Sequence, residues 1–408
     1  MKLPRTAILS VGDELLGGRI INTNAAFIAT RLTEAGFLVS STETVGDDEF
    51  SIADGVKGLC GRAEAVIVVG GLGPTPDDVT REAIAGAAGK LVVVDRGLKR
   101  AIAERTKGRS AAKNARMARI PEGARTFPNE IGVAAGLRVD VGGTPVYALP
   151  GVPIEMEAMF ESHVVPDLIA TFANAAPIPM RILKVFGLRE AEVAEQLGDL
   201  LDRSGEPAVG VTVKDGVITA TVVGDGADER AEAIAAKLGD DLFGEGTDTL
   251  SSVVYGLLEE RGLGFGTAES VTGGMVASLF VEVPSASAVL RGGIVAYTND
   301  LKHALLGIPK TVLKREGAVS AEVALRMARG ARKALDADVA VATTGAAGPT
   351  PDPHGAPVGR IHLAVSGPGK GKRSESVVKV EYTGTRNAIR RRAAYAALDA
   401  VRRHLQAR

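Results

Sequence analysis

At 408 residues the chain is too long for one ordinary hydrophobic core, and 45% hydrophobic with 24% charged residues excludes a disordered or fibrous architecture. A formal net charge of −1 argues against a protein that grips nucleic-acid phosphates by bulk electrostatics, so a small-molecule partner is expected and no nucleic acid. The single cysteine, Cys60, excludes an internal disulfide and a thiolate metal cluster.

The N-terminal stretch MKLPRTAILSVGDELLGG has an apolar run of only about four residues, short of a signal segment, and no stretch approaches the roughly 20 apolar residues of a membrane span. A cytoplasmic protein with no membrane partner is expected. Along the first third, TAILSVG reads as strand, NAAFIATRLTEAG as amphipathic helix, FLVSSTETV as strand and FSIADGVKGLCGRA as helix. AVIVVGG then reads as a fully buried strand, REAIAGAAG as helix, and TPVYALPG as strand after an irregular stretch. IEMEAMFESHVVPDLIATFA predicts a long closing helix. Continuous apolar strands alternating with helices imply a parallel sheet covered on both faces.

The proline-marked stretch APIPM, 176–180, opens a short unit of about 70 residues. RILKVFG is strand, EAEVAEQLGDLLDR helix, AVGVTVKDG and VITATVVGDG a hairpin turning at Lys214-Asp215-Gly216, and ERAEAIAAKLGDDL helix. EGTDT, 245–249, reads as a polar linker. From Leu250 the helix–strand alternation resumes, with strands at GFGTAES, GGIVAYT and DVAVATTG. RIHLAVSG and SVVKVEYTG pair, Ser320 caps one helix, and TRNAIRRRAAYAALDAVRRHL is a terminal helix. The expected fold is α/β: two three-layer α/β/α domains with largely parallel sheets joined by a small α+β module, over 1–172, 176–246 and 249–408.

Three glycine-rich hinges stand where a strand hands over to a helix, the usual ligand position in open α/β sheets. GGLGPTPDD, 70–78, brings glycines for backbone approach to an anion. Its Asp77 and Asp78 would repel a phosphate unless a divalent cation bridged them; alternatively Asp78 is the N-cap of the next helix. Asp13, Glu14, Asp47 and Asp48 follow other strands and are expected at the same sheet edge. TAESVTGG places Ser270 and Thr272 near a helix N-terminus, where Ser270 is a candidate nucleophile. Lys302, in the first turn after the next strand, is the candidate base, provided burial lowers its pKa. The competing reading makes Ser270 or Thr272 a helix cap and Lys302 a surface lysine. TTGAAGPTPDPHGAPVG, 343–359, is a third loop, long enough to lean toward ligand binding.

Other matches carry less. SAAK, 110–113, fits S-x-x-K without its companion motifs, and GPGKGKRS, 367–374, has the wrong spacing for a Walker loop. The RRR run at 390–392 reads as a solvated helix face, with phosphate contact by Arg386 or Arg390 as the alternative. His163 and His404 read as surface residues.

Taken in order, SVGDELLGG, GGLGPTPDD, LPGVPIEM, TAESVTGG, GGIVAYTNDLK and TTGAAGP…PVG resemble the CinA (competence/damage-inducible) family. The resemblance implies an N-terminal molybdopterin-binding-type (MoCF-like) domain, a KH-like module, a C-terminal nicotinamide-nucleotide amidase domain and a homodimer. It further implies hydrolysis of nicotinamide mononucleotide (NMN) to nicotinate mononucleotide and ammonia, in pyridine-nucleotide salvage. The implied centre is Ser270 as nucleophile, Lys302 as base, helix N-terminal N–H groups for the oxyanion, and Thr272 and Tyr297 as orienting or relay groups. Glu269, Gly273, Gly274, Thr344, Gly345, Gly348 and Arg386 are the implied substrate contacts, with no cofactor. For the N-terminal domain it implies cleavage of ADP-ribose with a divalent metal on Asp77 and Asp78, at a site also drawn from Asp13, Glu14, Asn24, Asp47, Gly71, Gly73, Thr75 and Glu155.

The chain departs from the family pattern at Val271 (usually Cys), Ala356 (usually Lys), the TPDPH insert, GVAAG at 132–136 and Met117. Val271 excludes cysteine catalysis at that hinge. The module lacks a G-x-x-G loop, so a KH-like shape does not imply RNA binding. Two alternatives stand beside the deamidase: a metal-dependent ADP-ribose pyrophosphatase with an inactive C-terminal half, and a non-enzymatic binding protein linked to competence or molybdopterin.

Overall fold

The computed structural model describes residues 3–107, 114–172, 177–201, 205–368 and 374–407. The SAAK match at 110–113 and residues 369–373 of the basic turn lie outside the described residues. The chain divides into two compact units, Met1–Ile178 and Pro179–Arg408.

In the first unit the strands are β1 (Arg5–Val11), β2 (Leu38–Val45), β3 (Ala65–Val69), β4 (Val92–Val94), β5 (Arg119–Pro121), β6 (Arg125–Phe127), β7 (Gly136–Val141) and β8 (Thr144–Leu149). The main sheet has the order β2-β1-β3-β8-β7-β6; β2, β1, β3 and β8 run parallel, and β7 and β6 form an antiparallel edge. Alternation in β1 and β3 fills two cores. Ala7, Leu9, Val66 and Val68 face Ile52, Val56 and Ile84, whereas Ile8, Ile67 and Val69 face Ile28, Leu32, Met156 and Phe160. Both sheet faces are therefore covered, as the uninterrupted apolar runs of these strands require.

The stretch expected to be irregular before β8 holds β4 paired with β5, a helix Arg96–Arg105, and the β6–β7 edge. β4, β5 and β6 are too short, at three residues each, and β7 too polar on one side, to register as apolar runs. The closing helix runs through Pro153–Met159, a π turn at Phe160–Val164 and Val165–Thr171. The π turn lies just before Pro166, whose ring nitrogen cannot donate to the preceding turn.

In the second unit β9 (Met180–Val185), β10 (Ala208–Lys214), β11 (Val217–Val223) and β12 (Leu242–Glu245) form an antiparallel sheet ordered β10-β11-β9-β12. Its hairpin turns on Asp215 and Gly216, both at positive φ (54° and 88°), the conformation Asp-Gly favours. The polar linker expected at 245–249 begins on the last residue of β12, a strand the sequence reading missed. The remaining strands are β13 (Phe265–Glu269), β14 (Leu290–Val295), β15 (Val339–Gly345), β16 (Arg360–Ser366) and β17 (Glu375–Glu381). They form the sheet β14-β13-β15-β16-β17, parallel across β14, β13 and β15 and antiparallel beyond.

One face of that sheet packs Phe265, Val341 and Leu363 on Val254, Phe280 and the terminal helix Arg386–Gln406; Phe186 and Phe243 join the same core. The other face is nearly all alanine, with Ala268, Ala340, Ala342 and Ala364 against Val323, Met327 and Leu313. Small residues let that helix layer sit close. Within that layer the helix Ala321–Ala334 meets the helix Asn299–Leu306 so closely that position 330 must be glycine, since a Cβ there would stand 2.3 Å from the Leu306 carbonyl oxygen. His404 is buried at 8% exposure within the terminal helix, which corrects the expected surface position. Among the described residues no helix is long and apolar enough to cross a membrane.

Candidate active site

Strand β13 lies between two parallel neighbours, and the register is level at its end: Glu269 pairs with Val295 on one side and Thr343 on the other. Ser270 N–H donates to the Thr343 carbonyl at 2.9 Å and Ala296 N–H to the Glu269 carbonyl at 2.9 Å. The first residues beyond β13 and β14 thus emerge together, beside Thr344 and Gly345, where β15 runs on two residues further against β16. This sheet edge is where doubly wound folds hold ligands.

Thr298 caps the helix Asn299–Leu306, accepting from Leu301 N–H at 3.3 Å, and the first turn sends Lys302 back beneath the edge. Lys302 is 1% exposed. Its Nζ lies 2.9 Å from Ser270 Oγ, 3.0 Å from the Ala296 carbonyl and 3.2 Å from the Tyr297 carbonyl. Burial lowers its pKa to about 8, and Asp352 partly offsets the shift. Losing one proton leaves two N–H bonds for the two carbonyls and a lone pair for the serine. A lysine expected either as base or as a plain surface cation is a buried amine on a hydroxyl.

Ser270 and Lys302 open on a cavity of about 230 Å³ whose wall includes Tyr297, Thr344, Gly345, Gly348, Asp352 and Arg386. Arg386 donates to the Gly348 carbonyl and, at 2.9 Å, to the Tyr297 hydroxyl. Thr344 donates to the Ala318 carbonyl at 2.6 Å. Arg390 instead donates to the Val271 and Thr272 carbonyls, both at 3.1 Å, and braces the hinge.

Four expected contacts are corrected. Glu269 is 1% exposed and its two oxygens accept from five donors: Thr267 and Thr272 hydroxyls at 3.1 and 2.7 Å, and the N–H groups of Gly274, Val276 and Ala277 at 2.8, 3.0 and 2.9 Å. It is the cap of helix Met275–Val281, not a substrate ligand, and neither Ser270 nor Thr272 caps that helix. Thr272 is fully buried, its hydroxyl shared with Glu269 and, at 2.7 Å, Thr343, so it does not reach the cavity. Gly273 and Gly274, at φ 61° and 98°, turn the chain so that the first amides meet Glu269; they do not line the cavity either. Those amides being engaged, they are not free to hold an oxyanion.

At the N-terminal sheet edge Asp13 and Asp47 meet: Asp13 N–H donates to Asp47 at 2.9 Å and Asp47 N–H to Asp13 at 3.4 Å. Partial burial, ahead of repulsion from Asp13, Glu14 and Asp77, raises the Asp47 carboxyl above its usual range. Asp78 accepts from Gly73 and Thr75 N–H at 2.7 Å each and from the Thr75 hydroxyl. It closes the glycine loop, and the helix it was expected to cap has Val79 at its N-cap without a side-chain bond. Gly71 sits at φ 65° against Thr80. Asn24 donates to the Gly151 carbonyl at 2.8 Å, and Glu155 accepts from Asn129 at 2.8 Å. Asp77 and Asp78 do not fit a divalent cation as a pair, because both Asp78 oxygens are already taken by the loop. Among the described residues no group of three or more His, Cys, Asp or Glu gathers as a metal-binding set.

Three family models match in succession: "Probable molybdopterin binding domain" at residues 7–170, "Damage-inducible protein CinA KH domain" at 180–256, and "CinA C-terminal domain" at 247–405. A CinA-like protein of Frankia casuarinae is 41% identical, covering 98% of this chain and 96% of its own length. The chain belongs to the CinA family. A CinA-like protein of Kosmotoga olearia is 38% identical over 98% of this chain and 99% of its own. Among solved structures, CinA of Thermoplasma acidophilum covers 41% of the chain and 99% of itself, at 36% identity and a TM-score of 0.40.

Asp352 lies inside the 343–359 loop of this CinA-family chain, and no sequence argument singled it out. Its two flanking prolines were the available signal, since they limit where the loop can fold. Ala356 is buried at 8% exposure and holds the loop through its carbonyl, which accepts from Asp352 N–H at 2.9 Å.

Proposed function

We propose that the C-terminal unit is an amidohydrolase that converts NMN and water to nicotinate mononucleotide and ammonia. The observation that carries this reading is the Lys302 amine, buried, lowered in pKa and 2.9 Å from Ser270 Oγ on a cavity wall. Neutral Lys302 takes the Ser270 proton as Oγ attacks the carboxamide carbon, and returns it to the leaving nitrogen as the C–N bond breaks. Water then attacks the acyl-serine, giving its proton to Lys302, which passes it to Ser270 Oγ as the ester C–O bond breaks, releasing the acid and restoring both the serine and the neutral amine. The oxyanion falls to an amide outside the Glu269 cap. Val271 N–H adjoins the nucleophile and has no protein acceptor among the described residues. Arg386, at the cavity mouth, is suited to the nucleotide phosphate.

The test is ammonia release from NMN by the purified chain. Ser270→Ala and Lys302→Met are each expected to lower kcat at least about 10³-fold with the fold intact by circular dichroism. Turnover retained in Ser270→Ala refutes the acyl-enzyme. A homodimer and a cytoplasmic location belong to the same proposal; light scattering of the purified chain decides the first.

A second reading makes the acidic edge of Asp13, Glu14, Asp47 and Asp77 a nucleotide site of the N-terminal unit, and cleavage of ADP-ribose to AMP and ribose 5-phosphate, assayed with and without chelator, tests it.

A further inference from the structure

The cavity beside Ser270 carries opposite charges in its wall, Arg386 and Asp352. Arg386 is engaged by the Gly348 carbonyl and the Tyr297 hydroxyl. Asp352 is held differently. Its Oδ2 accepts from His354 N–H at 2.9 Å, and Gly355 N–H closes back on its carbonyl at 2.8 Å, so the loop fixes the side chain at 11% exposure. Its Oδ1 has no protein donor among the described residues. His354 Nδ1 lies 3.9 Å from Oδ2, and Lys302 and Arg386 line the same cavity, where Asp352 acts on the Lys302 amine through its charge. That amine must be neutral to act as a base, so in the working state the carboxylate loses one of its compensating charges, in a site where charges are weakly screened.

We propose that Asp352 is a specificity-determining residue: it makes the cavity select a carboxamide borne on a positively charged, N1-substituted pyridine ring over the same carboxamide on a neutral ring. The inference rests on the deamidase reading for the identity of the reacting group. A cationic ring supplies the charge the carboxylate lacks, while the phosphate at the far end of the same molecule meets Arg386. The oppositely charged wall thus matches a ligand with a cationic ring and an anionic tail, and it fixes which end points at Ser270.

The experiment uses the full chain carrying Ser270→Ala, so that ligand is bound without turnover, and measures by titration calorimetry the affinity for NMN and for its 1,4-dihydro form. The two differ in ring charge and share the phosphate. The expected result is at least about tenfold tighter binding of NMN, a preference abolished by adding Asp352→Asn and kept by adding Asp352→Glu, with the dihydro form bound equally in all three. A preference that survives Asp352→Asn, or none in the Asp352 chain, overturns the inference and leaves the deamidase reading standing. Binding of neither nucleotide overturns both. Ring selectivity that depends on Asp352, in a parent chain that releases no ammonia from NMN, overturns the deamidase reading alone. Melting curves of each variant confirm that the compared proteins are folded.

Discussion

Replacing Glu269 by glutamine separates a structural role from a substrate-binding one. The carboxylate distributes its five donors unevenly: Oε2 takes Thr272, Gly274 and Val276, and Oε1 takes Thr267 and Ala277. A glutamine of the same shape keeps the three if its oxygen occupies the Oε2 position. Its NH₂ then faces the Ala277 N–H, donor against donor, at a site only 1% exposed. A buried donor left without an acceptor costs about 1–3 kcal/mol, and losing negative charge at a helix N-terminus adds about 0.3–1 kcal/mol. The expected loss is about 3 kcal/mol, which for a unit of this size lowers the melting midpoint by about 6–12 °C. Differential scanning calorimetry of the full chain reads it as a shift in one transition, that of the C-terminal unit. If Glu269→Gln melts within about 1 °C of the parent yet binds NMN much more weakly, the cap assignment is wrong and Glu269 contacts substrate.

The pH dependence has a definite sign. Burial lowers the Lys302 amine, so kcat/KM for NMN should rise about tenfold per pH unit and level off above about 8; a profile flat from about pH 6 to 8 contradicts a lysine base. Because Asp352 raises that amine's pKa, Asp352→Asn should move the inflection to lower pH. Arg386→Ala should weaken NMN binding about tenfold or more while leaving the affinity for the dephosphorylated nucleoside nearly unchanged, measured by calorimetry. Gly71→Ala should destabilise the N-terminal unit by about 1–3 kcal/mol, since φ is 65° and the new Cβ would stand 2.2 Å from Thr80 Oγ1; ammonia release by the other unit should persist.

The meeting of Ser270 and Lys302 was legible because it follows from chain direction. Ser270 sits one residue past an apolar strand, and Lys302 lies one helical turn past the next, so parallel pairing brings them to the same edge. The cap was not legible. Capping is recognised from a side chain just ahead of the helix, whereas Glu269 lies five residues before the Gly274 N-cap, and only the positive φ of Gly273 and Gly274 folds the first amides back over it. Asp352 was missed for a related reason: its position depends on loop closure by Ala356 and Gly355, bonds with no periodic signature. In the N-terminal unit Asp13, Glu14, Asp47 and Asp77 crowd one edge, whereas Asp48, expected there too, caps the helix Glu49–Cys60 by accepting from Ser51 N–H at 2.8 Å, and which of the acids the loop would consume could not be read from spacing. Asp78 spends both oxygens on Gly73 and Thr75.

Lys302 rests on the main-chain oxygens of Ala296 and Tyr297, atoms that every amino acid supplies. Drift of the side chain at 297 can therefore reshape the mouth without detuning the amine beneath it. The half-exposed Tyr297 becomes a natural place to retune ligand choice by mutagenesis, with the proton-transfer machinery insulated from the change.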